Sequence, residues 1–148
     1  MTISSATPQA DCIVQAMIEL ARCSKTHRIL VAGDDCPGHM FELHRRGFTR
    51  AMTTTTCGLP RGQYDVALVD WQLQSMKALE TTLNWLVHFL APASVLVVLV
   101  DSLRLADNQK LGPLFERLGF RIEAGTRCQR GIAIAARRRE ADEQAIAA

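Results

Sequence analysis

Three acidic residues follow two short apolar runs of the chain. Asp34 and Asp35 come directly after residues 28–33, a run that ends in glycine, and Asp70 closes the run 64–70. Each run has the length and continuous hydrophobicity typical of a buried strand in a parallel sheet. Open α/β sheets bind ligands at the carboxyl ends of their strands, so these carboxylates are candidates for a ligand site. We favour the structural interpretation, in which Asp34 and Asp35 cap the next helix while Asp70 ends its strand in solvent.

The spacing of apolar residues predicts the elements that position these acids. Expected helices cover residues 11–23, a segment from about 37 to Gly47, residues 76–90 and residues 111–118,. The second of these helices is expected to direct Met40, Phe41 and Leu43 inward. Expected strands cover residues 28–33, 48–56, 64–70, 94–100, 120–124 and 131–136,. The link between the last two strands is too short for a parallel crossover, so they should pair antiparallel.

These elements predict an α/β fold with a six-stranded, mostly parallel sheet and a final antiparallel strand. One domain is expected over all 148 residues, with an N-terminal helical segment 1–27, a core 28–137 and a tail 138–148,. The formal net charge of +2 argues against a nucleic-acid partner,. The longest apolar run, residues 93–100, is too short to span a bilayer,.

The cysteines indicate a reducing environment rather than a disulfide framework. There are five of them, an odd number, and no Cys-x-x-Cys pair occurs,. The first dozen residues lack the basic start and apolar centre of a signal peptide, so a cytoplasmic location is expected. Cys36 and His39 are spaced like two metal ligands, but no second pair has suitable spacing, so we expect no metal site.

Four strings, in their order along the chain, resemble class I S-adenosylmethionine (SAM)-dependent methyltransferases. Residues 28–39 resemble the glycine-rich cofactor loop of that family, and residues 64–71 resemble its fourth strand. Residues 86–100 resemble the passage from a helix into its fifth strand. Residues 114–120, with the hairpin that follows, resemble its closing segment. The resemblance covers about residues 28–137. It implies a three-layer, Rossmann-like methyltransferase-type fold and a SAM site. The cofactor-binding residues that it implies are Gly33, Asp34, Asp35, Gly38, Thr56, Asp70 and Trp71.

The chain departs from the family pattern at three places. Val31 stands where the first strand usually carries an acid, and Asp35 and Cys36 stand where further glycine is expected. Glycine there lets the backbone approach a ligand closely. The second strand ends in threonines, among them Thr56, instead of the acid that holds the ribose. Only residues 57–63 separate the second and third strands, so a helix of the family is missing.

These departures predict a small methyltransferase-like domain with an impaired or absent SAM site. We expect a non-catalytic protein that binds a ligand or a protein partner. An active SAM-dependent methyltransferase with an atypical cofactor loop is the alternative. The missing helix should leave apolar surface exposed, which predicts a homodimer.

The acids also resemble those of response-regulator receiver domains, a further alternative. In that interpretation Asp70 would accept phosphate, while Asp34 and Asp35 would hold Mg²⁺. Against it, residues 57–63 are too short for the helix that a receiver requires, and Arg127 stands where a lysine is needed. A receiver also has no antiparallel closing strand.

Overall fold

The computed structural model describes residues 8–53, 62–71, 75–100, 110–128 and 131–139. The described helices are α1 (Pro8–Ala21), α2 (Cys36–Arg45), α3 (Met76–Leu86) and α4 (Leu111–Arg117). The strands are β1 (Ile29–Gly33), β2 (Ala51–Thr53), β3 (Tyr64–Trp71), β4 (Leu90–Val100), β5 (Phe120–Cys128) and β6 (Gly131–Arg138). Among these helices, none has the length and hydropathy needed to cross a bilayer.

The six strands form one sheet in the order β2-β1-β3-β4-β6-β5. The pairs among the first four strands are parallel, whereas β6 runs antiparallel to both of its neighbours. This confirms the predicted α/β fold, including the antiparallel strand that the short link before β6 requires.

Helices cover both faces of the sheet, which makes three layers. Alternate residues of each central strand point to opposite faces, so Leu30 and Val69 pack with α3 and α4, whereas Val31 and Leu68 pack with α1 and α2. Burial on both faces explains why these strands are continuous apolar runs.

The inward-facing residues of α2 differ from those predicted. Leu43 is buried and Met40 is partly buried, but Phe41 is 70% exposed, so its predicted inward direction is wrong. The helical period instead turns His39 and Glu42 inward,. Glu42 is tolerated there because the guanidinium groups of its neighbours Arg45 and Arg46 each lie 2.6 Å from its carboxylate,.

The predicted helix 76–90 is wrong at its end. The α-helix stops at Leu86, a 3₁₀ turn covers Val87–Phe89, and β4 already begins at Leu90. Partners distant in the chain hold this shape. The guanidinium of Arg138 donates to the carbonyls of Val87 at 3.1 Å and Leu90 at 2.6 Å. These bonds give partners to carbonyls that lie beyond the end of the α-helix,.

Other boundaries shift by a few residues. The first helix begins three residues before the predicted start at Asp11. Residues 48–50 are not part of the strand, with a turn at 49–50, so β2 is only Ala51–Thr53. The predicted continuation to Thr56 lies outside the described residues. The last two strands both extend beyond their predicted ends, because they pair along their whole length.

Candidate functional site

The carboxyl ends of β1 and β3 meet at a glycine. Gly33 lies opposite Asp70 in the parallel register, and the amide of Asp34 donates to the carbonyl of Asp70 at 2.6 Å. Gly33 has a φ of +92°, and a Cβ on it would lie 2.1 Å from the Asp70 carbonyl oxygen. Glycine is therefore needed here both for its backbone conformation and for the close approach of the two strands.

The turn from β1 into α2 is occupied by an acidic side chain. Asp35 is the N-cap residue of α2 in the left-handed conformation, with φ 51° and ψ 42°. Its carboxylate makes no capping hydrogen bond, so the predicted capping role is wrong for this residue. The carboxylate lies against Gly38 instead, because a Cβ there would be 2.6 Å from both of its oxygens. The left-handed conformation explains why glycine is the expected residue at position 35.

Asp70 forms a buried pair with a histidine of α2. Its carboxylate Oδ2 lies 2.8 Å from Nε2 of His39, and the two residues are 1% and 3% exposed. The interpretation in which Asp70 ends its strand in solvent is therefore wrong. In the sequence, His39 is notable only for its metal-ligand spacing from Cys36. Its helical spacing from Leu43 is the sequence pattern that places it on the buried face.

His39 also brings an unsatisfied polar atom to this region. Among the described residues, its buried Nδ1 has no hydrogen-bond partner. Buried polar atoms in proteins are nearly always paired with protein groups, water or ligand. We name Gly33, Asp34, Asp35, Gly38, His39 and Asp70 the carboxyl-edge site.

The pKa of the Cys36 thiol reflects the negative charges near this site. Its Sγ donates to the Gly33 carbonyl oxygen at 3.1 Å. Burial raises the pKa of the Cys36 thiol, and the carboxylates of Asp34, Asp35 and Asp70 raise that pKa further,. The thiol therefore stays protonated at neutral pH, and the site has a negative potential.

Two residues implied by the resemblance do not join this cluster in the described structure. Trp71 is 6% exposed and packs on the sheet face opposite Asp70, where its indole N–H donates to the Ser75 carbonyl at 3.0 Å,. Thr56 lies outside the described residues. Thr53, at the described end of β2, is buried.

The acids are not arranged as a metal site. Within the part of the chain that the structure describes, no group of three or more His, Cys, Asp or Glu residues could hold an ion. Asp34, Asp35 and Asp70 are thus not grouped as the receiver-like alternative requires. The antiparallel strand β6 is also inconsistent with the receiver-like alternative, because a receiver has no such strand.

Comparisons with known proteins identify the fold. No protein-family profile and no curated sequence matches the chain. Solved structures that are similar to it include a SAM-dependent methyltransferase from Archaeoglobus fulgidus, with 12% identity, a TM-score of 0.60, and coverage of 87% of this chain and 94% of that one. A release-factor-specific protein-(glutamine-N5) methyltransferase from Alicyclobacillus acidocaldarius is 14% identical, with a TM-score of 0.58. The match covers 94% of this chain and 99% of that one.

A third similar structure shows that this likeness does not determine the reaction. The [4+2]-cyclase SpnF has 12% identity, a TM-score of 0.60, and coverage of 88% of this chain and 82% of that one. At such identities the comparison establishes the fold alone, because one fold hosts many chemistries. The chain has the three-layer α/β fold of the class I SAM-dependent methyltransferases.

Proposed function

We propose that this chain is a non-catalytic domain of the methyltransferase fold that binds a small cationic ligand at its carboxyl-edge site. The observation that carries the proposal is the position of Asp35. Its side chain occupies the turn in which the fold's SAM-binding members are expected to have glycine, and its carboxylate lies against the first turn of α2. In this proposal the Asp35 side chain impairs the conventional, glycine-lined SAM site, and its charge attracts cationic groups instead.

The charge of the site supports a cationic ligand. A helix N-terminus after the first strand commonly receives a phosphate or another anion in Rossmann-like proteins. Here Asp35 already places a negative charge at that end of α2, and Asp34 and Asp70 add two more carboxylates nearby. A nucleotide phosphate would be repelled, whereas an ammonium or sulfonium group would be attracted. SAM carries both cationic groups, so it belongs to the class of ligands proposed.

The engagement of the reactive groups supports a binding role over catalysis. Among the described residues of this region, Cys36 and His39 are the natural candidates for a nucleophile and a base. The Cys36 thiol donates to the Gly33 carbonyl and has a raised pKa, and the Nε2 atom of His39 is held by Asp70. Both groups therefore support the structure of the turn.

Calorimetric titration with SAM, S-adenosylhomocysteine and ADP tests this proposal. We expect SAM to bind more tightly than S-adenosylhomocysteine, which lacks the sulfonium charge, and ADP to give no heat. Asp35→Asn keeps the shape of the side chain but removes its charge. This variant should weaken SAM binding about 10-fold, the loss expected for one charge-assisted interaction.

The variant Asp35→Gly separates the proposal from its alternative. It restores the expected glycine and removes the carboxylate, so the proposal predicts weaker SAM binding, as for Asp35→Asn. Tighter binding of both SAM and S-adenosylhomocysteine would mean that Asp35 obstructs a conventional cofactor site. That result would support an impaired cofactor site but not a cation-binding one, whereas methyl transfer by the wild-type chain would favour the active methyltransferase. An absence of heat with SAM at millimolar concentration would refute ligand binding of this kind.

A homodimer is a separate proposal, supported by the exposed side chain of Phe41. This residue lies on α2, the helix that packs over β1 and the edge strand β2. The sequence predicts that the family's additional helix after β2 is missing. We expect the wild-type chain to sediment as a dimer and Phe41→Ser to shift it toward monomer. The control is Ile122→Ser, which removes a 44% exposed residue from the opposite edge strand β5. A wild-type monomer at high concentration would contradict the proposal.

A further inference from the structure

The basic residues of the chain are concentrated in two short segments. Residues 22–28 and 44–50 together contain six of the 17 Lys and Arg residues and none of the 15 Asp and Glu residues. The rest of the chain therefore has eleven basic and fifteen acidic residues, a net charge of −4. The overall charge of +2 is thus an average over an uneven distribution, and it does not describe any one surface.

The fold brings the two segments together at one end of the sheet. Both segments lead into amino ends of parallel strands, since 22–28 precedes β1 and 44–50 precedes β2. Arg50 donates from its guanidinium to the Thr26 carbonyl at 3.3 Å. The side chain of Lys25 lies across Gly47, where a Cβ would be 3.3 Å from its Nζ. We call this surface the basic face; its residues are Arg22, Lys25, Arg28, Arg45, Arg46 and Arg50.

The basic face is accessible and opposite in sign to the carboxyl-edge site. Arg22, Lys25, Arg45 and Arg50 are exposed. Glu42 pairs with Arg45 and Arg46. The carboxylates of the carboxyl-edge site lie at the other end of the same strands. A large anion is therefore attracted to one end of the domain and repelled from the other.

We propose that the basic face binds the phosphate backbone of a nucleic acid. Five of its six cations are arginines, whose planar guanidinium groups match phosphate oxygens in a bidentate manner. Between them stand hydroxyl side chains, such as the exposed Ser24 and Thr26, which also commonly contact phosphates,.

The composition of the face favours a nucleic acid over an acidic protein. Protein interfaces depend on aromatic or apolar anchors, but Phe48, the aromatic residue of the two segments, is only 7% exposed and packs in the core. The exposed Phe41 lies one helical turn before Arg45, outside the two segments. Within the segments the exposed groups are cations and hydroxyls, which are suited to a phosphate backbone. We therefore expect the binding to be independent of nucleotide sequence, because contacts to the phosphate backbone carry no sequence information.

Fluorescence anisotropy with a labelled single-stranded RNA of about 20 nucleotides, over about 50 to 200 mM salt, tests this proposal. The test variant combines Arg22→Gln, Lys25→Gln and Arg50→Gln. The control combines Lys77→Gln, Lys110→Gln and Arg127→Gln, which removes the same charge from exposed positions outside the basic face. Circular dichroism and thermal melting confirm that both triple variants are folded.

The expected size follows from counterion release. Each lost phosphate contact reduces the slope of log affinity against log salt by roughly 0.7, so the test variant should lose a slope of about 2 and about 100-fold in affinity near 0.1 M salt. The control should change affinity by less than about 3-fold. An equal loss in both variants, or no RNA binding by the wild type, would overturn the proposal. If polyglutamate displaced the labelled RNA as effectively as unlabelled RNA does, the proposal would also be overturned, in favour of an acidic polypeptide.

Discussion

Gly33→Ala is expected to lower the free energy of unfolding by about 4 kcal/mol. The new Cβ would lie 2.1 Å from the carbonyl oxygen of Asp70, and this neighbour is backbone that cannot rotate away. Relief would require β1 and β3 to separate at their carboxyl ends, breaking the 2.6 Å bond from the Asp34 amide. An L-residue at a φ of +92° adds conformational strain,. Urea denaturation of both proteins measures the change.

Gly62→Ala is a matched control for this substitution. Gly62 also has a positive φ, +67°, but a Cβ there would meet no atom within 4 Å among the described residues. Gly62→Ala should therefore lower the free energy of unfolding by the conformational strain alone, about 1 kcal/mol. Equal losses for the two variants would mean that the strands do not approach each other closely at Gly33.

The order of elements could be predicted because the central strands are buried on both faces. A run such as residues 64–70 or 94–100 has no polar alternation, and that pattern distinguishes a central parallel strand from a surface one,. The antiparallel direction of β6 followed from the length of a link alone. Both inferences rest on local properties of the chain.

The errors arise where a distant residue decides the local structure. The predicted helix to Leu90 fails in the segment where Arg138, about fifty residues later in the chain, binds the carbonyls of Val87 and Leu90. Hydrophobicity favoured Phe41 as an inward residue over His39. The buried histidine is stable because it reaches Asp70, 31 residues away in the chain,. The spacing of hydrophobic residues contains no information about a hydrogen-bond partner that is distant in the chain.

The candidate site was likewise predicted in part. Gly33, Asp34, Asp35 and Asp70 were placed correctly at adjacent strand ends, because the ends of parallel strands lie at one edge of a sheet,. The left-handed conformation of Asp35 and the direction of its carboxylate depend on the packing of the turn against Gly38. Residue types alone do not specify that packing.

Asp70→Ala is expected to destabilise the chain by about 3 kcal/mol, because it leaves the Nε2 of a buried histidine without its partner. His39→Ala should cost a similar amount, since it leaves a carboxylate that is 1% exposed without this bond. The double variant should cost less than the sum of the single variants by about 2 kcal/mol, the coupling typical of contacting buried groups.

The exposed pair Arg137–Glu123 is the control for this cycle. Its atoms lie 3.2 Å apart, but its side chains are 43% and 47% exposed. Solvent screens such pairs, so the same cycle of alanine variants should give a coupling below about 1 kcal/mol. If the losses at Asp70 and His39 simply added, the pair would not be a structural unit, and each side chain would contribute through its own packing. A coupling well above that of the exposed pair would establish that the β3–α2 contact holds the turn of the carboxyl-edge site in place.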